Sequence, residues 1–232
     1  MFQVLTKSEL TTALASIESG VKPRGEGRRS EQTELWSIKR ALGSLSEHNE
    51  LTYPVEIQKR ERPDFELRMA KETVGVEVSE IVDCQLAHTQ TIKIDNSCFA
   101  ILDRSLFRLG GKKYSRDELV EIASQTSLTG PGWNGLSVEI ELAKGVRTWT
   151  ERKIEKLNSD GFSRYPRNWL LLYNNLQLPH IHYDEVIPLI QENLKKFWGT
   201  GGFNQILLDT SDQLIIFTHS SVKILPIEKI DA

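Results

Sequence analysis

At His48 the hydrophobic period of the chain changes, and that change sets the class of fold. Before it, Leu35, Ile38, Leu42 and Leu45 recur at spacings of 3, 4 and 3 on one helical stripe that begins near Ser30, with Gly43 loosening its end. After it, three short runs at 53–59, 63–69 and 73–82 alternate apolar and polar residues with a period near 2, the signature of half-buried strands. Further on, Trp169-Leu-Leu-Leu-Tyr173 has no polar face and reads as a strand covered on both sides. Helical patterns at 148–158 and 184–197 flank it, and apolar runs at 205–209 and 213–218 close around a Ser211-Asp212 turn. The order is helix, three strands, a mostly helical stretch, helix, buried strand, helix, hairpin. It predicts an α/β sandwich around a central mixed sheet.

The ends and the middle are less regular. Leu10, Ala13, Leu14 and Ile17 predict a short amphipathic helix over 8–19, capped by Ser8 and stopped by Gly20. Residues 21–30 hold Gly, Pro and charge with little to bury, so 1–30 divides as an N-terminal helix and flexible linker from a main domain at 31–232. Inside that domain, 83–147 stands as an insertion. It is expected to contain helical stretches at 86–107 and 116–124, a turn at 129–135 and an extra strand at 136–142.

With 39% hydrophobic residues in 232, the chain can build one substantial core. Its 29 Lys and Arg against 32 Asp and Glu give a formal charge of −3, which excludes a strongly basic architectural nucleic-acid binder but not an enzyme with a local basic cleft. No run approaches the ~18–20 apolar residues of a membrane span, and the first residues lack a secretory pattern, so a cytoplasmic protein without a membrane partner is expected. Cys84 and Cys98 read as reduced, half-buried packing residues.

The most informative chemistry sits in the second and third strands. If they pair antiparallel around a loop at 69–72, Asp64 faces Glu77. Opposed residues have Cβ atoms ~4.5–5.5 Å apart, close enough for two carboxylates to share one divalent ion. Few, hard oxygen ligands suit Mg²⁺ or Mn²⁺. Glu77 lies within Val74-Gly-Val-Glu-Val-Ser-Glu-Ile81, where burial of a carboxylate is costly unless a cation or hydrogen bonds compensate. A solvated acid pair is the competing reading.

Arg62-Pro63-Asp64-Phe65, followed after twelve intervening residues by Glu77-Val78-Ser79, resembles the PD-(D/E)XK nuclease superfamily. The resemblance covers about 30–218 and implies the restriction-endonuclease-like α/β/α sandwich, with the N-terminal helix and the helical insertion outside it. It implies a metal-dependent nuclease that hydrolyses phosphodiester bonds, with Asp64 and Glu77 holding Mg²⁺ or Mn²⁺. Nucleic acid is the expected partner, DNA ahead of RNA, and a homodimer is one assembly open to the chain. The family's lysine two residues after the Glu is Ser79 here. Some members supply the amine from a neighbouring helix, and Lys153 and Lys156 share a face of the 148–158 helix at i, i+3. Glu34, with Glu31 as substitute, is the implied helix acid. If the amine is missing, the alternative is an inactive nuclease-like fold that binds nucleic acid or protein.

Other groups stay open. Lys112 and Lys113 with Arg108 and Arg116 surround Gly110-Gly111, and Lys22, Arg24, Arg28 and Arg29 form a second basic group. Either suits phosphates or solvent. Ser79, Lys112 and Lys113 are carried as substrate-binding candidates. His180 and His182 fall at strand spacing without a third ligand, and Trp133, exposed in Gly-Pro-Gly-Trp-Asn-Gly, is placed to stack on a base.

Overall fold

The computed structural model describes residues 2–18, 20–22, 27–92, 100–199 and 201–227. Part of the 21–30 joint including Arg24, the middle of the 86–107 stretch, and Cys98 lie outside those residues.

Among the described residues the chain is α/β, with six α-helices and one eight-stranded mixed sheet. Strands β1 (Phe2–Val4), β2 (Val55–Lys59), β3 (Phe65–Met69), β4 (Glu72–Ile81), β5 (Arg167–Asn174), β6 (Gln205–Asp209), β7 (Gln213–Phe217) and β8 (Val222–Pro226) lie side by side in chain order. The pairs β4–β5 and β5–β6 are parallel, and the others antiparallel. The expected meander is β2–β3–β4.

Alternation along the central strands builds two cores. Val74, Val76, Val78, Trp169, Leu171 and Leu207 pack with α1 (Lys7–Ser16) and α2 (Ser30–Glu47) through Leu10, Leu14, Ile38, Ala41, Leu42 and Leu45. Ile81, Leu170, Leu172, Ile206 and Leu208 pack with α5 (Ser137–Leu157) and α6 (Tyr183–Leu194). This is why Trp169–Tyr173 has no polar face: β5 is covered on both sides.

Several expectations need correction. The 136–142 segment is the start of α5 and not a strand. The alternation of Leu136, Val138, Ile140 and Leu142 fits period 2, yet the longer stripe Val138, Leu142, Val146 and Trp149 is helical, and it leaves Leu136 and Ile140 exposed. Gly145 lets α5 approach the sheet, since a Cβ there would meet Ile81 Cγ2 at 2.9 Å. The insertion between β4 and α5 is therefore shorter, with α3 (Cys84–Thr89), a 3₁₀ turn (Arg104–Leu106) and α4 (Arg116–Ala123). Helix α1 ends at Ser16 and is capped by Thr6, whose hydroxyl accepts from the Glu9 N–H, and not by Ser8. Helix α2 runs through Gly43 to Glu47. Cys84 is exposed at the start of α3. Strands β1 and β8 carry too little pattern to be read in advance: one has three residues, and the other is an edge with Ile224 exposed. No helix among the described residues is long and apolar enough to cross a membrane.

One buried ion pair ties α2 to the sheet. Asp209 is 0% exposed, and Arg40 donates to its two oxygens at 2.8 and 3.1 Å while stacking on Trp36. Removing one partner of such a pair leaves an uncompensated buried charge. Arg40→Ala is expected to lower unfolding free energy by about 3 kcal/mol. Lys223→Ala, which breaks the solvated pair with Glu50, should cost less than about 1 kcal/mol. Urea denaturation of both variants checks the contrast.

Candidate active site

Strand β3 stops where β4 does not. Their pairing ends at Phe65 opposite Val76, while β4 continues to Ile81 along β5. Asp64 lies one residue beyond that last pair, opposite Glu77 in the continued register, as the alternation predicts. The Asp64 side chain then replaces the missing ladder bond: its Oδ2 accepts the Val78 N–H at 2.7 Å. Gly75 allows the Pro63 turn to close over the sheet. A Cβ at Gly75 would meet Tyr165 Cδ2 at 2.6 Å and Pro63 Cγ at 2.9 Å. The loop after α5 also holds this turn, with the Ser163 N–H donating to the Arg62 carbonyl at 3.3 Å.

Glu77 is 1% exposed, and α5 supplies its counter-charge. Lys153 and Lys156 donate to the same oxygen, Oε1, at 2.7 and 2.6 Å. Lys153 reaches the Val78 carbonyl as well, at 3.3 Å. Between and beside them Ile154 and Leu157 pack into the core and fix the helix face. The second oxygen, Oε2, is buried and has no hydrogen-bond partner among the described residues.

Asp64, 8% exposed, completes the pair. Burial, and then the charge of Glu77, push its carboxyl up to about 6; the Val78 N–H opposes this, Glu34 adds to it and Lys153 opposes it. Glu34 on α2 is half-buried and bound by Lys59 at 2.6 Å, and Lys59 lies 4.6 Å from the Phe65 ring centre. Glu31 is exposed. Ser79 sits two residues beyond Glu77, half-buried on the same side of β4.

The structure thus brings Asp64, Glu77, Lys153 and Lys156 together, with Glu34 close enough to act on Asp64 through its charge. It does not bring Lys112 and Lys113 to them. Their loop is fastened near the other end of α5, where the Leu109 N–H donates to Glu141 and Lys144 donates to the Leu109 carbonyl. Lys144 and Lys153 are nine residues apart, about 13 Å of helix. Lys112 is itself paired with Glu118 at 2.8 Å. Arg28, from the other basic group, donates to Glu80 and to Thr33. His180 and His182 are exposed, with ring centres 4.9 Å apart ahead of α6.

Sequence reasoning missed the support around Glu66. This buried acid accepts from Tyr165 Oη at 2.7 Å and Arg60 Nη2 at 2.9 Å. Burial works against its ionisation, but those bonds and the charges of Arg60 and Arg68 hold it below the usual carboxylate range. The only advance signal was an acid two residues after Asp64 on the same strand face. Lys59 was missed for the same reason: nothing local marks a lysine at a strand end as the partner of a helix acid.

Two carboxylates with an unpaired buried oxygen form a hard donor set that fits Mg²⁺ or Mn²⁺. Among the described residues there is no group of three or more His, Cys, Asp or Glu placed to hold a metal, so water and phosphate oxygens would have to complete the coordination. Comparison with protein-family models, curated proteins and solved structures gave no match.

Because the folded-state pKa of Asp64 is raised from 3.8 to about 6, the folded protein binds the proton more tightly than the unfolded chain. That contribution is fully present below the unfolded value and is lost as pH rises through about 6. In metal-free buffer, Asp64→Asn should therefore gain stability relative to wild type between pH 5 and pH 8. Thermal melts at the two pH values check this; an unchanged difference would contradict the assignment.

Proposed function

We propose that the chain is a metal-dependent phosphodiesterase of restriction-endonuclease-like fold that hydrolyses nucleic acid, DNA ahead of RNA, in the cytoplasm. One observation carries the reading: two helix amines meet the buried Glu77, at the place where Ser79 leaves the motif without its lysine. A solvated helix face would not place both amines on one carboxylate oxygen in the interior.

Asp64 and Glu77 would hold Mg²⁺ or Mn²⁺, with Glu34 assisting from α2. Such an ion lowers the pKa of a bound water and neutralises charge at the scissile phosphate. The protein supplies the rest. Lys153, 19% exposed at its side chain and bound to two acceptors, orients Glu77. Lys156, 38% exposed, is the amine free to turn toward a phosphate oxygen and stabilise charge that develops there. The Val78 N–H fixes the Asp64 rotamer, and the Tyr165–Glu66 bond holds the strand beside it. A second reading, binding without cleavage, is favoured by one feature: the paired amines already neutralise Glu77 in the free protein.

Incubation with single-stranded, duplex and structured DNA and RNA in Mg²⁺ or Mn²⁺ separates the two. The proposal predicts cutting of at least one substrate and a loss of about 100-fold on Lys156→Ala. That variant should melt near wild type because Lys153 still covers Glu77. The double Lys153→Ala, Lys156→Ala variant should also lose about 3–5 kcal/mol of stability, since it leaves the buried charge alone. Binding without cutting by the wild type would leave the non-catalytic reading. Full cutting by Lys156→Ala would remove its role.

A further inference from the structure

The insertion between β4 and α5 builds a cleft of about 490 Å³. Leu102, Arg104, Leu128, Pro131, Trp133 and Pro179 line it. Its two walls are locked together. The buried Asp103 carboxylate accepts the Ser105 N–H and hydroxyl at 3.0 and 2.7 Å and the Gly130 N–H at 2.6 Å. The Ser105 hydroxyl oxygen accepts the Gly132 N–H at 3.0 Å. Gly130 is required for this approach, because a Cβ there would meet Ser105 Oγ at 2.3 Å. The cleft is thus held by hydrogen bonds to the buried Asp103 and Ser105, although its sequence is a turn rich in Gly and Pro.

Trp133 is the chemically telling wall. It is half-buried, not fully exposed, because the Arg108 guanidinium carbon lies 3.4 Å from its ring centre, held by a bond to the Gly132 carbonyl at 2.7 Å. Arg108 stacks on the indole without lining the cleft, whereas Trp133 itself lines it. Leu128, 69% exposed, stands there without a partner in the core. The exposed Arg104 sits at the rim and is steadied by the Gln177 carbonyl at 3.3 Å. An aromatic face, apolar walls and a cation at the mouth match a nucleobase with its phosphate outside. Gln177 follows β5, and β5 residues Leu170 to Asn174 alone cover about 13 Å beyond the level of Glu77.

We propose that this cleft binds an unpaired base of the substrate strand, which makes single-stranded nucleic acid the substrate class. The inference rests on the phosphodiesterase reading for its link to Glu77, but not for the cleft itself. A paired base would first have to leave its stack, which favours strands that are already open.

The test is fluorescence anisotropy with a labelled oligothymidylate in EDTA, where no metal-dependent cutting occurs. Wild type should bind; Trp133→Ala should bind about tenfold more weakly, and Trp133→Phe, which keeps an aromatic face, should fall between them. Leu128→Gln, a charge-neutral change on an exposed wall residue, should weaken binding as Trp133→Ala does. On an abasic strand of the same length the variants and wild type should bind alike, since there is no base to stack. Absence of oligothymidylate binding by wild type, equal binding by Trp133→Ala, or an equal loss on the abasic strand would each overturn the proposal, the last pointing to a structural role for Trp133. Trp133-dependent binding by a protein that cuts nothing in Mg²⁺ keeps the cleft and removes the phosphodiesterase reading. Cutting that ignores Trp133 does the reverse.

Discussion

Burying a carboxylate at the centre of a sheet is costly unless cations or hydrogen bonds compensate it, and Glu77 imposes that demand on the rest of the molecule. The strand that carries it is valine-rich and covered on both faces. The answer comes from α5, long enough to pack its first half on Ile81 and Leu172 while its last turns deliver Lys153 and Lys156. Helix length, the close approach at Gly145 and the parallel β4–β5 pairing all serve that delivery. Asp64 then depends on Glu77 in turn, because its position is set by where β3 ends. Pro63 has no N–H to extend the ladder, and at Val78 the carbonyl accepts from Lys153 while the N–H donates to the Asp64 side chain.

The result is a nearly balanced cluster: Glu34, Asp64 and Glu77 face Lys59, Lys153 and Lys156. Such a cluster has consequences for any divalent cation. The ion must compete with amines for Glu77, so affinity is expected to be weak and to rise when a phosphate draws one amine away. A chain of formal charge −3 and a balanced cluster offer nucleic acid little attraction, so the Arg104 rim of the Trp133 cleft would have to supply it.

What could be read in advance was local. The β3–β4 register follows from alternation and a short loop, and it placed Asp64 opposite Glu77. The i, i+3 spacing of Lys153 and Lys156 follows from helix geometry, and their shared target was a modest further step. The unreadable parts join residues far apart in the chain or carry too little pattern. Tyr165 reaches Glu66 across 99 positions, and Lys59 reaches Glu34 across 25. At 136–142 four alternating apolar residues mimic a strand, and only the longer stripe through Trp149 shows the helix. Arg40 and Asp209, 169 positions apart, left no trace in periodicity, although their fork joins α2 to the sheet.

The central claim is that Asp64 and Glu77 form one cation site whose second partner set is the α5 amines. Isothermal titration calorimetry with Mn²⁺ tests it most directly, on wild type and on Asp64→Ala. The account predicts weak binding by wild type, accompanied by a rise in melting temperature through ligand linkage, and loss of both in the variant. The same Mn²⁺ response in wild type and Asp64→Ala would contradict it.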